Sequence, residues 1–263
     1  MRAELTVGGI EKNLEKERTG RITVFDTIDS TNDCLKKLCA EGKAEPGDIV
    51  TANRQTAGRG RRGKSFESAA GVGIYLSALL KTNGADPGET AELTAWGAVA
   101  VCRAIERVCG EACCIKWVND LVCGSRKVCG ILTEMTPAGP VMGIGVNVNQ
   151  RAGEFPAELR DIATSLREAC GRETDREKLI AAMIEELDRL SADFPHARQP
   201  YLDEYWSRCA VLGKEITLMF GETQRRGRAV GIDEHFGLVV QYDDGDFGTV
   251  TGGEVSVRGF YGV

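Results

Sequence analysis

Gly58-Arg59-Gly60-Arg61-Arg62-Gly63, followed about fifty residues later by Lys116-Trp117-Val118-Asn119-Asp120, is the pair of stretches on which the reading of this chain turns. Three arginines set among three glycines make a loop whose backbone and forked guanidinium groups can both approach an anion closely. A lysine ahead of an Asn-Asp pair adds a second cation and two oxygen donors suited to a metal or a hydroxyl. Together they point to chemistry on a polyphosphate or an acyl phosphate. Taken alone, the arginine loop fits a solvated basic turn or an RNA-binding arginine motif just as well, so the rest of the chain has to decide.

Working outward, Arg21 to Asp26 reads as a strand, and Ser30-Thr31-Asn32-Asp33 can cap a helix running through Leu35, Leu38 and Cys39 to Gly42. Asp48 to Asn53 is a second strand that ends just before the Gly/Arg loop, and the apolar run Val72 to Leu80 is a third. From Glu89 to Cys109, apolar residues at Leu93, Trp96, Ala100, Val101, Ala104, Ile105 and Val108 follow helical spacing, and Gly110 stops them. Cys113 to Trp117, Lys127 to Met135 and Val141 to Asn149 give three more strands. Thr174-x-x-Glu177 has the form of a capping box for a helix that Pro195 stops, and Tyr201 to Cys209 is one further short helix. From Gly213 on, five short alternating runs (Glu215 to Phe220, Arg226 to Ile232, Gly237 to Tyr242, Gly248 to Thr251, Glu254 to Arg258) are parted by Gly and Asp-Gly turns, the pattern of a small β-barrel. The boundary falls between Cys209 and Gly213.

A chain of 263 residues, 42% hydrophobic and 27% charged, supports one sizeable core and a smaller satellite. Its net charge of -6 argues against a general nucleic-acid binder, whose affinity rests on neutralising phosphates. Met1 to Gly20 has no apolar run of signal-peptide length, and no stretch approaches the roughly 20 apolar residues of a membrane span, so a cytoplasmic protein is expected. The 10 cysteines then read as reduced thiols. Cys109, Cys113, Cys114, Cys123 and Cys129 lie close together, but no C-x-x-C pair occurs and the only histidines, His196 and His235, are far away. Small buried residues explain the cluster better than a metal.

The motifs and their order resemble the biotin protein ligases, the biotin–[acetyl-CoA-carboxylase] ligases. The matching pieces are Asp29-Ser30-Thr31-Asn32, Gln55 to Gly63, Tyr75-Leu76-Ser77, Lys116-Trp117-x-Asn119-Asp120, Gly130-Ile131-Leu132-x-Glu134, Gly143 to Asn149 and Thr164-Ser165-Leu166. The resemblance covers the chain from about Arg21. It implies an α+β fold: a class II synthetase-like catalytic domain over 1–211, with a mixed sheet and flanking helices, and an SH3-like β-barrel over 212–263. The activity it implies is ATP-dependent formation of biotinyl-5′-AMP and transfer of biotin to a lysine of a carrier protein. The carrier would be the biotin carboxyl carrier domain of a biotin-dependent carboxylase or decarboxylase. ATP and Mg²⁺ are the implied cofactors.

By the same resemblance Ser30, Thr31, Asn32 and Gln55 contact biotin's ureido and ring edge, where short polar groups satisfy a urea buried among apolar atoms. Ser30 or Thr31 serves equally as a helix cap. Arg59, Gly60, Arg61 and Lys116 meet the reacting carboxyl and phosphate oxygens. Arg59, Arg61 and Lys116 are the catalytic candidates, because bringing two anions together demands positioning and charge neutralisation. Arg61, Arg62, Asn119, Asn147 and Arg258 are carried over as nucleotide contacts, and Asp120 as a Mg²⁺ ligand, although an Asn-Asp pair is also an ordinary turn. Gly130, Gly143 and Gly145 permit close backbone approach or mark bulges.

The chain departs from the family pattern at Val118, where proline is usual, at Phe66 in place of tryptophan, at Gly73 in place of asparagine and at Cys129 in place of glycine. Only 29 residues precede Ser30, too few for the DNA-binding domain of some family members, so no DNA partner is expected. A homodimer stays open. Lipoate ligases share the fold and the acyl chemistry but resemble a different Arg-Arg-x-Ser-Gly-Gly-Gly signature, absent here; an RNA-binding module is the rival of another class.

Overall fold

The structure is a computed structural model that describes residues 4–220, 223–257 and 260. Thr6 accepts a hydrogen bond from Gly9 N and caps a short helix, α1 (Val7–Glu11), which buries Ile10. The sequence reading gave this segment no structure, because five residues offer too little periodicity to read. Strand β1 (Ile22–Ile28) runs parallel to β2 (Ile49–Gln55), and α2 (Thr31–Ala40) is the connection between them. Ser30 caps α2 by accepting from Asp33 N at 3.3 Å.

Strand β3 (Gly73–Leu79) is buried along its whole length, as its mostly apolar sequence favours, with Ser77 its one hydroxyl-bearing aliphatic position. The single helix expected from Glu89 to Cys109 is two. A four-residue turn of helix, α3 (Pro87–Thr90), opens on a capping box between Asp86 and Glu89, and α4 (Leu93–Cys109) ends at Gly110. Then come β4 (Cys114–Lys116), β5 (Asp120–Cys123), β6 (Arg126–Thr136) and β7 (Gly139–Asn147). The sequence reading missed β5, a strand of four residues that opens on what reads as an Asn-Asp turn.

Helix α5 (Leu166–Cys170), also missed, is capped by Ser165. In α6 (Arg176–Asp193) the expected capping box does not form. Asp175 is the cap, accepting from Lys178 N, while Glu177 turns away to accept from Thr6 N and Oγ1. Asn149 holds the Thr174 backbone at both N and O, which shifts the helix start by one residue. Helix α7 (Arg198–Arg208) begins three residues earlier than expected; Pro200 falls in its first turn, where no backbone donor is needed.

These strands form one mixed sheet in the order β1-β2-β3-β7-β6-β5-β4, with only β1 and β2 parallel. Alternation along the strands sends residues to two faces. Val50, Leu79 and Val141 meet Leu35 and Cys39 of α2 on one side, while Ile74, Leu76, Ile131, Met142 and Ile144 join the larger core with α4 and α6 on the other. The site residues sit where the α2 side of this sheet is left open toward the Gly/Arg loop.

The C-terminal strands β8 (Glu215–Phe220), β9 (Thr223–Ile232), β10 (Leu238–Tyr242), β11 (Phe247–Val250) and β12 (Glu254–Val257) correspond to the five expected runs. They form an antiparallel sheet in the order β11-β10-β9-β8-β12, consistent with an SH3-like unit; among the described residues no pairing closes β11 onto β12. The β9–β10 turn docks on the first unit. Phe236 meets Tyr205 edge-on with centroids 5.4 Å apart, and its carbonyl accepts from Trp117 Nε1 at 2.8 Å.

Candidate active site

The Gly/Arg loop is a small hairpin of its own. Phe66 N donates to Gly58 O and Gly60 N to Lys64 O, at 2.9 and 2.7 Å, and Arg62 and Gly63 form its tip with positive φ. Its base therefore fixes where Arg59 and Arg61 leave the backbone.

Two cavities meet beside this loop. The smaller, about 50 Å³, is lined among others by Ser30, Thr31, Asn32 and Gln55 on one side and by Gly143 and Gly145 on its floor. The larger, about 460 Å³, is lined by Arg61, Arg62, Lys116, Asn119, Asp120 and Asn147 together with apolar residues such as Phe155 and Leu159. Gly60, Arg61, Phe66, Asn119 and Lys127 line both. The cavities are thus contiguous, and their junction carries two cations.

The polar wall of the smaller cavity is tied into one network. Gln55 Oε1 accepts from Thr31 N and Oγ1, and Gln55 Nε2 donates to Ser68 Oγ. Ser77 Oγ lies 2.8 Å from Thr31 Oγ1 and donates to Asn32 Oδ1 at 2.6 Å, while Asn32 Nδ2 donates to Glu134. Such mutual bonding locks amide orientation before any ligand arrives. The floor must be glycine: a Cβ at Gly143 would lie 2.3 Å from Asn32 Oδ1, and one at Gly145 only 2.6 Å from the Phe66 ring.

Arg59 reaches back over the rim. Its guanidinium is 2.6 Å from Asp33 Oδ1 and 3.5 Å from Glu134, and Lys36 bridges the same two carboxylates at 3.0 and 2.9 Å. Partial burial works to raise the Asp33 and Glu134 carboxyls. Hydrogen bonds outweigh it and hold both below the usual range, from Lys36 and Arg59 on Asp33 and from Lys36 and Asn32 on Glu134.

At the junction Arg61 donates to Asn119 Oδ1 at 2.6 Å, and Asn119 Nδ2 donates to Asp120 Oδ1 and to Ile131 O. The same Asp120 oxygen is 2.7 Å from Lys127 Nζ. Sequence reasoning did not single out Lys127. Lys116, the lysine it did choose, is buried and lines the larger cavity but not the smaller. Asn147 borders the larger cavity, its amide donating to Thr164 O. Arg258, carried over as a nucleotide contact, lies outside the described residues. The Trp117–Val118 peptide, at the family's usual proline position, is cis.

A family model described as the biotin/lipoate A/B protein ligase family matches residues 24–150. Over 256 residues the chain is 33% identical to the bifunctional ligase/repressor BirA of Bacillus spizizenii, covering 92% of this chain and 76% of that protein. It is 28% identical over 205 residues to the biotin–[acetyl-CoA-carboxylase] ligase of Mycobacterium tuberculosis, covering 74% of this chain and 73% of that one. Among solved structures, the biotin protein ligase of Aquifex aeolicus in complex with biotin and ATP superposes with a TM-score of 0.79 at 30% identity, over 91% of this chain and 99% of the other.

Proposed function

The chain belongs to the biotin protein ligases of the biotin/lipoate A/B protein ligase family, and from that membership we infer that it joins biotin to ATP and passes the biotinyl group to a protein lysine. In the first step biotin's carboxylate attacks the α-phosphorus, a carboxyl–phosphate bond forms, and pyrophosphate leaves. In the second, a lysine amine of a biotin carboxyl carrier protein attacks the acyl carbon, an amide forms, and AMP leaves with the bonding electron pair.

The observation that carries the assignment of roles is the shared border of the two cavities. A small cavity walled by locked amides and hydroxyls suits a urea head, and a large one flanked by apolar residues suits a nucleoside. Their junction is where carboxylate and α-phosphate must meet. Arg61 and Lys127 stand there and neutralise the two anions, the term that dominates such a transfer. Ser30, Thr31, Asn32 and Gln55 receive biotin; Arg62, Lys116, Asn119 and Asn147 receive the nucleotide. Arg59 acts from the rim, exchanging Asp33 for the incoming carboxylate. The loop from Gly58 to Phe66, whose Gly60, Arg61 and Phe66 line both cavities, closes over the adenylate and excludes water.

Residues 1–211 serve as the catalytic unit and 212–263 as an appended one. The side chains do not fit a resident Mg²⁺ on Asp120. One of its carboxylate oxygens already receives the Lys127 ammonium and the Asn119 amide, and no cluster of three or more metal-ligating groups occurs among the described residues. Mg²⁺ would instead enter with ATP as the nucleotide's counter-ion, a hard cation suited to oxygen donors. The test is transfer itself: incubating the protein with MgATP, labelled biotin and a biotin carboxyl carrier domain should label that domain on one lysine. Labelling with lipoate in place of biotin would point to the sister activity of the family.

A further inference from the structure

Cys113 and Cys123 hold their sulfurs 3.3 Å apart. Strands β4 and β5 pair Lys116 with Asp120, Ile115 with Leu121 and Cys114 with Val122, so the next rung of the ladder sets Cys113 directly opposite Cys123. Directly opposed residues of an antiparallel pair have Cβ atoms roughly 4.5–5.5 Å apart, close to the separation a disulfide needs. The two thiols are unequal. Cys123 is partly exposed at the end of β5, whereas Cys113 is buried. Beyond the pair, the same hairpin carries Lys116, Trp117, Asn119 and Asp120 to the larger cavity.

We propose that Cys113 and Cys123 are a disulfide-forming site whose substrate is a small soluble disulfide of the glutathione type. Cys123, the reachable thiol, attacks as its thiolate; one external sulfur becomes bonded to it and the other leaves as a thiolate. Cys113 then loses its proton to solvent and attacks the Cys123 sulfur, expelling the second external thiolate. Two protein thiols are oxidised by two electrons, and one external disulfide is reduced to two thiols. The order follows from access and from chemistry: the hydrogen bond with Cys123 and then burial push the Cys113 thiol up, so it is the poorer first nucleophile. Cys114 points to the other face and is exposed, which makes it the internal control. Cys109 and Cys170 are a second pair in contact and the competing product.

The full chain would be exposed to glutathione disulfide, its remaining thiols alkylated after unfolding, and cleaved after Lys, Arg and Glu. The expected product links the 112–116 fragment, its Cys114 alkylated, to the 117–126 fragment, two hydrogens lighter than the sum of those two species, and dithiothreitol releases it. Fragmentation of the linked pair should place the bond on Cys113. Cys123→Ser should abolish the link and Cys114→Ser should retain it; Cys123 is partly exposed, so its serine variant is the one expected to fold. Glutathione left on Cys123 with Cys113 still alkylatable would overturn the proposal. So would a link that Cys114→Ser removes, or one joining only the Cys109 and Cys170 fragments.

Discussion

Lys127 shows what a residue-level reading of sequence can lose. In a regular strand Lys127 and Gly130 point to opposite faces. Between β5 and β6 the register shifts: Leu121 pairs with Cys129 but Val122 with Lys127, leaving Val128 as an extra residue. That bulge turns Lys127 to the side of Gly130, where a Cβ on Gly130 would meet its ammonium at 2.9 Å. Nothing local in Arg126-Lys127-Val128-Cys129 announces this, whereas Lys116 stood inside a quotable motif. Lys127→Met is expected to slow adenylation by about 10²–10³-fold, the scale for one preorganised electrostatic group. Lys116→Met should act mainly on the KM for ATP, since it borders only the nucleotide side. Pyrophosphate release with each substrate varied in turn separates the two; a near-normal kcat for Lys127→Met returns the central role to Lys116. At the floor, Gly143→Ala should displace the Asn32 amide and weaken biotin binding, read by calorimetry, with little change for ATP. Equal weakening of both would contradict the division of the cavities.

At the scale of elements, the strand and helix order was legible because long apolar runs and caps carry it. β3 and α4 came from such signals, the C-terminal strands from short alternating runs parted by Gly and Asp-Gly turns, and the Gly/Arg loop stood where β2 ends. What escaped was short or decided by tertiary contacts: β5, α5, and the choice of Asp175 over Thr174 as the α6 cap. Asp175→Ala should therefore cost about 1 kcal/mol in denaturant unfolding, the usual value of a lost N-cap. Thr174→Ala, whose hydroxyl contacts the Cys109 sulfur and not the helix's first backbone donors, should cost less. The reverse ranking would restore the capping box read from sequence. For the loop, Arg61→Ala should release biotinyl-adenylate into solution faster than wild type, measured by filter capture; unchanged retention would remove Arg61 from the closing role.

Across the whole molecule, the two units meet through the β9–β10 turn. His235 Nδ1 lies 2.8 Å from Glu92 Oε1 at the start of α4, and Glu92 also receives Arg198. The hydrogen bond with Glu92 raises the His235 imidazole above its ordinary 6.5, against partial desolvation and the Arg198 charge. A raised folded-state value means the stabilisation is fully present below that ordinary value and fades as pH rises through the folded one. His235→Gln should thus lower the thermal midpoint at about pH 6 and converge with wild type by about pH 9, by a small amount because the ring is largely exposed. A gap that widens with pH would contradict the pairing. None of this contact was readable in sequence, because Glu92 and His235 stand 143 positions apart and neither belongs to a motif.

The central claim is that one chain, at the border of two cavities, couples biotin to ATP. Pyrophosphate release by the purified protein with MgATP, compared with biotin, lipoate or no acid present, tests it most directly. Release that depends on biotin and is lost in Lys127→Met is the expected result. Release with lipoate and not biotin, or none from folded protein with either acid, would contradict the account.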